Sequence, residues 1–110
     1  MHKLLVLAAA TTALLGLTAC GGDSGEAPAA TIHVRDMSYS PASVTISKGQ
    51  SVEWVFDDNG LPHDVVDDAG GFRSDLVTEG SYTHTFDAAG TFAYHCTPHP
   101  MMVGTVVVRD

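Results

Sequence analysis

From Thr31 onward, apolar residues recur at every second position in short runs, and this alternation constrains the chain more than any other feature of its sequence. A period of two puts successive side chains on opposite faces of a strand, whereas a helix needs apolar residues at three- and four-residue intervals. No such helical stripe persists for an ordinary helix length. The pattern predicts strands at Thr31 to Asp36, Ser43 to Ser47, Ser51 to Phe56, His63 to Val66, Ser81 to Phe86, Thr91 to Cys96 and Gly104 to Arg109. Turn residues separate them at Lys48-Gly49, Asp57 to Gly60, Asp67 to Gly71, Glu79-Gly80 and Asp87 to Gly90. Val52, Trp54 and Phe56 share one face, as do Phe92, Tyr94 and Cys96, so each strand turns an apolar edge to a common core. The expected fold is an all-β Greek-key sandwich of seven to eight strands.

Charge and cysteine usage narrow the function. Thirteen acidic residues stand against five Lys and Arg, a formal charge of −8 over 110 residues. Phosphate-binding proteins need clustered cations, so nucleic acid is excluded as a partner. Two cysteines allow one disulfide at most and neither a CxxC pair nor a four-cysteine zinc site.

The first cysteine belongs to the N-terminus. Met1-His2-Lys3 is a short cationic start, Leu4 to Leu17 is apolar apart from Thr11 and Thr12, and Leu17-Thr18-Ala19-Cys20 ends the run on small residues. This segment resembles the lipobox of bacterial lipoprotein signal peptides. It is shorter than the roughly 20 residues that span a bilayer, and a glycine-rich polar stretch follows it. The expected organisation is therefore a signal peptide over residues 1–19, a flexible tether over 20–30 carrying lipid on Cys20, and one domain over 31–110. Acyl chains on Cys20 would hold that domain on the outer face of the bacterial cell membrane, outside the cytoplasm. Cleavage removes Lys3 and no acid, leaving 4 basic and 13 acidic residues and a charge of −9.

The second cysteine then stands alone in an oxidising compartment, where a free thiol persists only if it is buried or bound. Cys20, Trp54 and Tyr94-x-Cys96 superficially suggest an immunoglobulin domain, but Cys20 precedes every strand, so that pattern fails on position. Around Cys96 the sequence reads Tyr94-His95-Cys96-Thr97-Pro98-His99-Pro100-Met101-Met102, with thiolate, imidazole and thioether together at the end of a strand. Soft sulfur with imidazole suits copper. Two intervening residues let Cys96 and His99 face one ion, and Pro98 and Pro100 stiffen the backbone between them. His63 is the best second imidazole, because it follows a turn and Leu61-Pro62 and opens an apolar strand.

At this point the chain resembles the cupredoxins, the blue copper proteins, of the amicyanin and plastocyanin type. The resemblance covers nearly all of 31–110. It rests on Val44 to Gly49, Val52-x-Trp54, Pro62-His63, Gly71-Phe72-x-Ser74, Phe86-x-x-x-Gly90-Thr91-Phe92-x-Tyr94-x-Cys96 and Pro98-His99-Pro100-x-Met102-x-Gly104-x-Val106. It implies one type 1 copper ion held by His63, Cys96 and His99 with a long axial Met102. Strand parity places Met102 with Gly104 and Met101 with Val103 but leaves both methionines open as the axial ligand; the family spacing selects Met102. Asp64 and Thr97, each next in the chain to a ligand, are the expected neighbours of the metal-binding groups. Cupredoxins usually carry Asn after the first His, where its side chain ties the ligand loops together. The Asp64 carboxylate found here is an acceptor only, and its charge predicts a potential below that of an Asp64→Asn variant.

The resemblance implies one-electron transfer between extracytoplasmic redox partners, with electrons passing at the edge of His99. Leu61, Pro62, Pro98, Pro100 and Met101 form an apolar patch there for docking, and the acidic surface favours a partner with a basic face. The chain is expected to act as a monomer. His95, bonded in the chain to Cys96, offers a second electron route or is an ordinary surface residue. His33 is read as facing water and His84 as a half-buried, hydrogen-bonded residue. The pairs Asp57-Asp58 and Asp67-Asp68 lack a calcium-loop pattern and are read as solvated turn residues. Copper capture, storage or delivery is the alternative function. Catalysis is not expected, because four protein ligands leave no open position for substrate.

Overall fold

The computed structural model describes residues 26–110, so the signal-peptide reading, Cys20 and the first part of the tether lie outside the described residues. Eight strands and no helix make up the described chain: β1 (Ala30–Arg35), β2 (Ser38–Ser40), β3 (Ser43–Ser47), β4 (Ser51–Asp57), β5 (Val66–Asp67), β6 (Glu79–Thr85), β7 (Gly90–His95) and β8 (Val103–Arg109). They form two four-stranded mixed sheets, ordered β2-β1-β4-β6 and β3-β8-β7-β5. The parallel pairs are β1 with β4 and β3 with β8. The chain therefore crosses repeatedly between sheets.

The alternation seen in the sequence is the burial pattern of the strands. Val52, Trp54 and Phe56 point inward from β4, as do Ile32 and Val34 from β1, Tyr94 from β7, and Val106 and Val108 from β8. Trp54 lies at the centre, edge-on to Tyr94 at 5.4 Å and tilted against Tyr82 at 5.7 Å. Burial of side chains this size contributes about 1.5–3 kcal/mol each, which fixes the register of every strand with an inward face.

Several expectations need correction. His63 to Val66 is not a strand. Residues 63 to 67 are all buried, and their backbone groups find partners on different segments: His63 exchanges two 3.0 Å bonds with Val77, while Val65 N–H donates to Ser74 Oγ at 2.9 Å. Only Val66 and Asp67 join a sheet, beside His95 and Tyr94. The unexpected strand is β2, which pairs with β1 through a two-residue turn at Asp36 and Met37, with φ of 53° and 55°. Such turns normally carry Asn-Gly or Asp-Gly, so the sequence lacked the usual hairpin signal. Glu79 and Gly80, expected as a turn, belong to β6, and β1 begins at Ala30, one residue earlier than expected.

Candidate metal centre

One end of the sandwich gathers the predicted ligands. Cys96 follows the last residue of β7, and Met102 precedes the first of β8, so the last ladder pair of that hairpin, His95 with Val103, anchors the loop between them. Three backbone bonds tighten it: His99 N–H to Cys96 O at 3.3 Å, Met102 N–H to His99 O at 2.8 Å and Cys96 N–H to Met102 O at 3.1 Å. His63 arrives from the other side of the core, held by its two bonds to Val77.

Three donor atoms converge there. His63 Nδ1 lies 3.5 Å from Cys96 Sγ, His99 Nδ1 lies 3.6 Å from the same sulfur, and the two ring nitrogens are 3.2 Å apart. A point equidistant from atoms so spaced lies about 2.0 Å from each, close to the bonds of about 2.0–2.3 Å that imidazole nitrogen and thiolate make to an ion of zinc's size. His63 Nε2 is 2.7 Å from Asp58 Oδ2, so the ring proton belongs on Nε2 and the Nδ1 lone pair is free to face the cluster. Convergent lone pairs and a thiol with no disulfide partner among the described residues fit a soft late transition ion. His63, Cys96, His99 and Met102 together make a type 1 copper arrangement, with Met102 5% exposed and Met101 94% exposed. The parity reading of the two methionines therefore agrees with their burial.

Burial pushes the Cys96 thiol up, and backbone N–H groups of Asp64 and His99 directed at the sulfur oppose that rise. An incoming metal displaces the thiol proton, which couples binding to pH. Asp64 is buried, and its Oδ1 accepts the Thr97 N–H at 2.6 Å, so the tie between the two ligand loops is made by an aspartate. Arg73 donates to Thr97 Oγ1 at 3.3 Å.

Around His99, which is half-buried, Leu61, Pro62, Pro98, Pro100 and Met101 are all exposed. His95 turns outward, its Nδ1 2.6 Å from Asp68 Oδ1. His33 faces water, and His84 is half-buried but packs on Phe72 and Phe86 at 4.5 and 4.7 Å.

The reading of the acid pairs as solvated turn residues holds for Asp68, while Asp57 is exposed but ends β4. Asp67 is buried and accepts the N–H groups of Ala69 and Gly71. Asp58 is 5% exposed and binds His63; that hydrogen bond and one from Met37 N–H hold its carboxyl below the usual carboxylate range. The sequence signal was its place five residues before a ligand histidine, but spacing alone does not show which of Asp57 and Asp58 turns inward. Tyr39 was also missed. It is buried beside Tyr94, its hydroxyl donates to Asp64 O at 2.6 Å, and burial keeps the phenol far above its ordinary range and hence neutral. Nothing in a three-residue edge strand advertises such a role.

Residues 27–109 match the family described as copper binding proteins, plastocyanin/azurin family. Amicyanin of Paracoccus versutus is 39% identical over 91 residues, covering 76% of this chain and 67% of that protein. Amicyanin of Paracoccus denitrificans is 34% identical, covering 94% of this chain and 92% of its own length. Among solved structures, a Cu(I) form of an amicyanin variant superposes with a TM-score of 0.69 at 32% identity, covering 76% of this chain and 85% of that one.

Proposed function

We propose that this chain, which belongs to the plastocyanin/azurin family of copper-binding proteins and is a cupredoxin of the amicyanin and plastocyanin type, carries single electrons between redox partners outside the cytoplasm. The observation that supports this most is the placing of the ligands: Cys96 and His63 are fully buried, while His99 is half-buried between the exposed Pro98 and Pro100. Copper bound there supplies one-electron chemistry by alternating between Cu(II) and Cu(I).

The residues supply the rest. A loop closed by three backbone bonds and a His63 held at both backbone and ring keep the donor atoms in place, so little has to move when charge changes. Low reorganisation is what a carrier needs, and the protein fixes it before the metal arrives. His99 offers a short path from the buried sulfur to the surface. Leu61, Pro62, Pro98, Pro100 and Met101 can shed water against a partner in a small, short-lived contact. The acidic surface favours a partner with basic residues around its docking site. The tether with lipid on Cys20 would confine the search to a membrane face.

The test is optical and kinetic. Cu(II) added to the purified chain should develop the intense blue thiolate-to-copper band, Cys96→Ser should abolish it, and electron self-exchange should be fast. A blue site with slow exchange and ready copper loss would favour capture or delivery of copper, and a colourless site would remove the carrier reading. Mass spectrometry of membrane fractions should find acyl chains on Cys20, and a soluble, unmodified chain would count against the anchor.

A further inference from the structure

We propose that Asp58 is the positioning residue of this centre: its carboxylate keeps the proton of His63 on Nε2, aims Nδ1 at Cys96 and His99, and ties the ligand ring to the β1–β2 turn. The geometry is specific. Asp58 Oδ2 lies 2.7 Å from His63 Nε2, and the two side chains are 5% and 1% exposed. The same carboxylate accepts the N–H of Asp36 on Oδ1 at 3.0 Å and the N–H of Met37 on Oδ2 at 3.1 Å. The donors come from two separate segments of the fold, so one side chain closes the turn and orients the ligand together.

Both turn residues are non-glycine and left-handed, with φ of 53° and 55°. Such residues persist where the surroundings over-determine them, and here the surroundings are two hydrogen bonds to one buried anion. The arrangement differs from a backbone carbonyl holding a histidine, because it adds charge. A carboxylate on the outer nitrogen raises the basicity of the inner one and stabilises the more positive state of a bound metal. The chain therefore favours Cu(II) over Cu(I) more than the ligand set alone dictates. That part rests on the copper reading above; the tautomer of His63 is a property of the metal-free chain.

Long-range proton–nitrogen NMR correlation on the metal-free chain should find His63 protonated on Nε2. A proton on Nδ1, or one averaging between the nitrogens, overturns the proposal without reference to copper. Asp58→Asn, which keeps the shape but removes the charge and one of the two oxygens that now accept N–H bonds, should lose about tenfold in Cu(II) affinity relative to Cu(I), a rise in potential of about 59 mV for one electron. The double variant Met37→Gly/Asp58→Asn separates the two jobs, since glycine accepts the positive φ unaided. Asp58→Asn alone should lower the thermal midpoint, and the double variant, which relieves one of the two left-handed residues, should regain part of that loss and keep the raised potential. An unchanged potential in Asp58→Asn, or a shift that vanishes in the double variant, sinks the proposal. If the wild-type chain takes up copper without a blue band, the copper reading fails and the tautomer measurement still decides this one; it also decides if Asp58→Asn does not fold.

Discussion

Asp64 shows how one atom's difference reaches the electron. It is buried beside His63, its carbonyl accepts from Tyr39 and its Oδ1 accepts from Thr97 N–H, so the bond its side chain makes to Thr97 is one that an amide oxygen also makes. Asp64→Asn is therefore expected to leave the fold and the blue spectrum nearly unchanged while removing a charge close to the copper. Voltammetry should show the variant's potential raised, by the same electrostatic argument that applies to Asp58. An equal or lower potential would overturn that expectation. The sequence contains both carboxylates, but only burial and partners distinguish them from Asp57 and Asp68, which remain exposed.

Among the strands, the β7–β8 hairpin transmits packing to the centre. Tyr94 on β7 pairs with Gly104 on β8, two residues from Cys96 and Met102 respectively. A Cβ on Gly104 would overlap the hydroxyl and ring of Tyr94, a side chain fully enclosed by the core. Gly104→Ala should cost about 1–3 kcal/mol, read as a lower denaturation midpoint, and should broaden the copper spectrum as Tyr94 shifts. Stability equal to wild type would show that Tyr94 can shift without loss. On β6, His84 packs against Phe72 and Phe86, and burial pushes its pKa below the usual imidazole range, with Asp67 and Asp87 opposing the shift. The folded state thus holds His84 neutral where the unfolded chain would protonate it. Its contribution is complete above the unfolded pKa of about 6.5 and is lost as pH falls through that value toward the folded one. Thermal midpoints followed from pH 8 to 5 should fall less for His84→Phe than for wild type; parallel curves would exclude His84 as the source.

The whole molecule carries a formal charge of −8, so its field is negative overall. At the centre's end of the sandwich Asp57 and Glu79 stand opposite each other across β4 and β6, with Arg35 at the end of β1 and Arg73 on Thr97, and Lys48 meets Asp110 at the far end beside Arg109. Electron exchange with a cationic small-molecule reagent should slow about tenfold or more as salt rises from low ionic strength, while exchange with an anionic one should quicken. Salt-independent rates for both would remove the steering argument. Much of the molecule is legible in its amino-acid sequence. Alternation sets the strands with inward faces, because a one-residue slip would expose them, and Cys96, His99 and Met102 lie within seven residues, so local spacing alone reveals a soft metal site. His63 could be chosen but not placed, because it reaches the centre from an irregular segment whose bonds go to Val77 and Asp58. The turn before β2 is closed by Asp58, and that contact, like those of Asp64 with Tyr39 and Thr97, joins residues more than twenty apart in sequence. No periodicity records such contacts. The sequence determined which atoms could bind copper, and the tertiary structure decided which buried carboxylates and which hydroxyl hold those atoms in place.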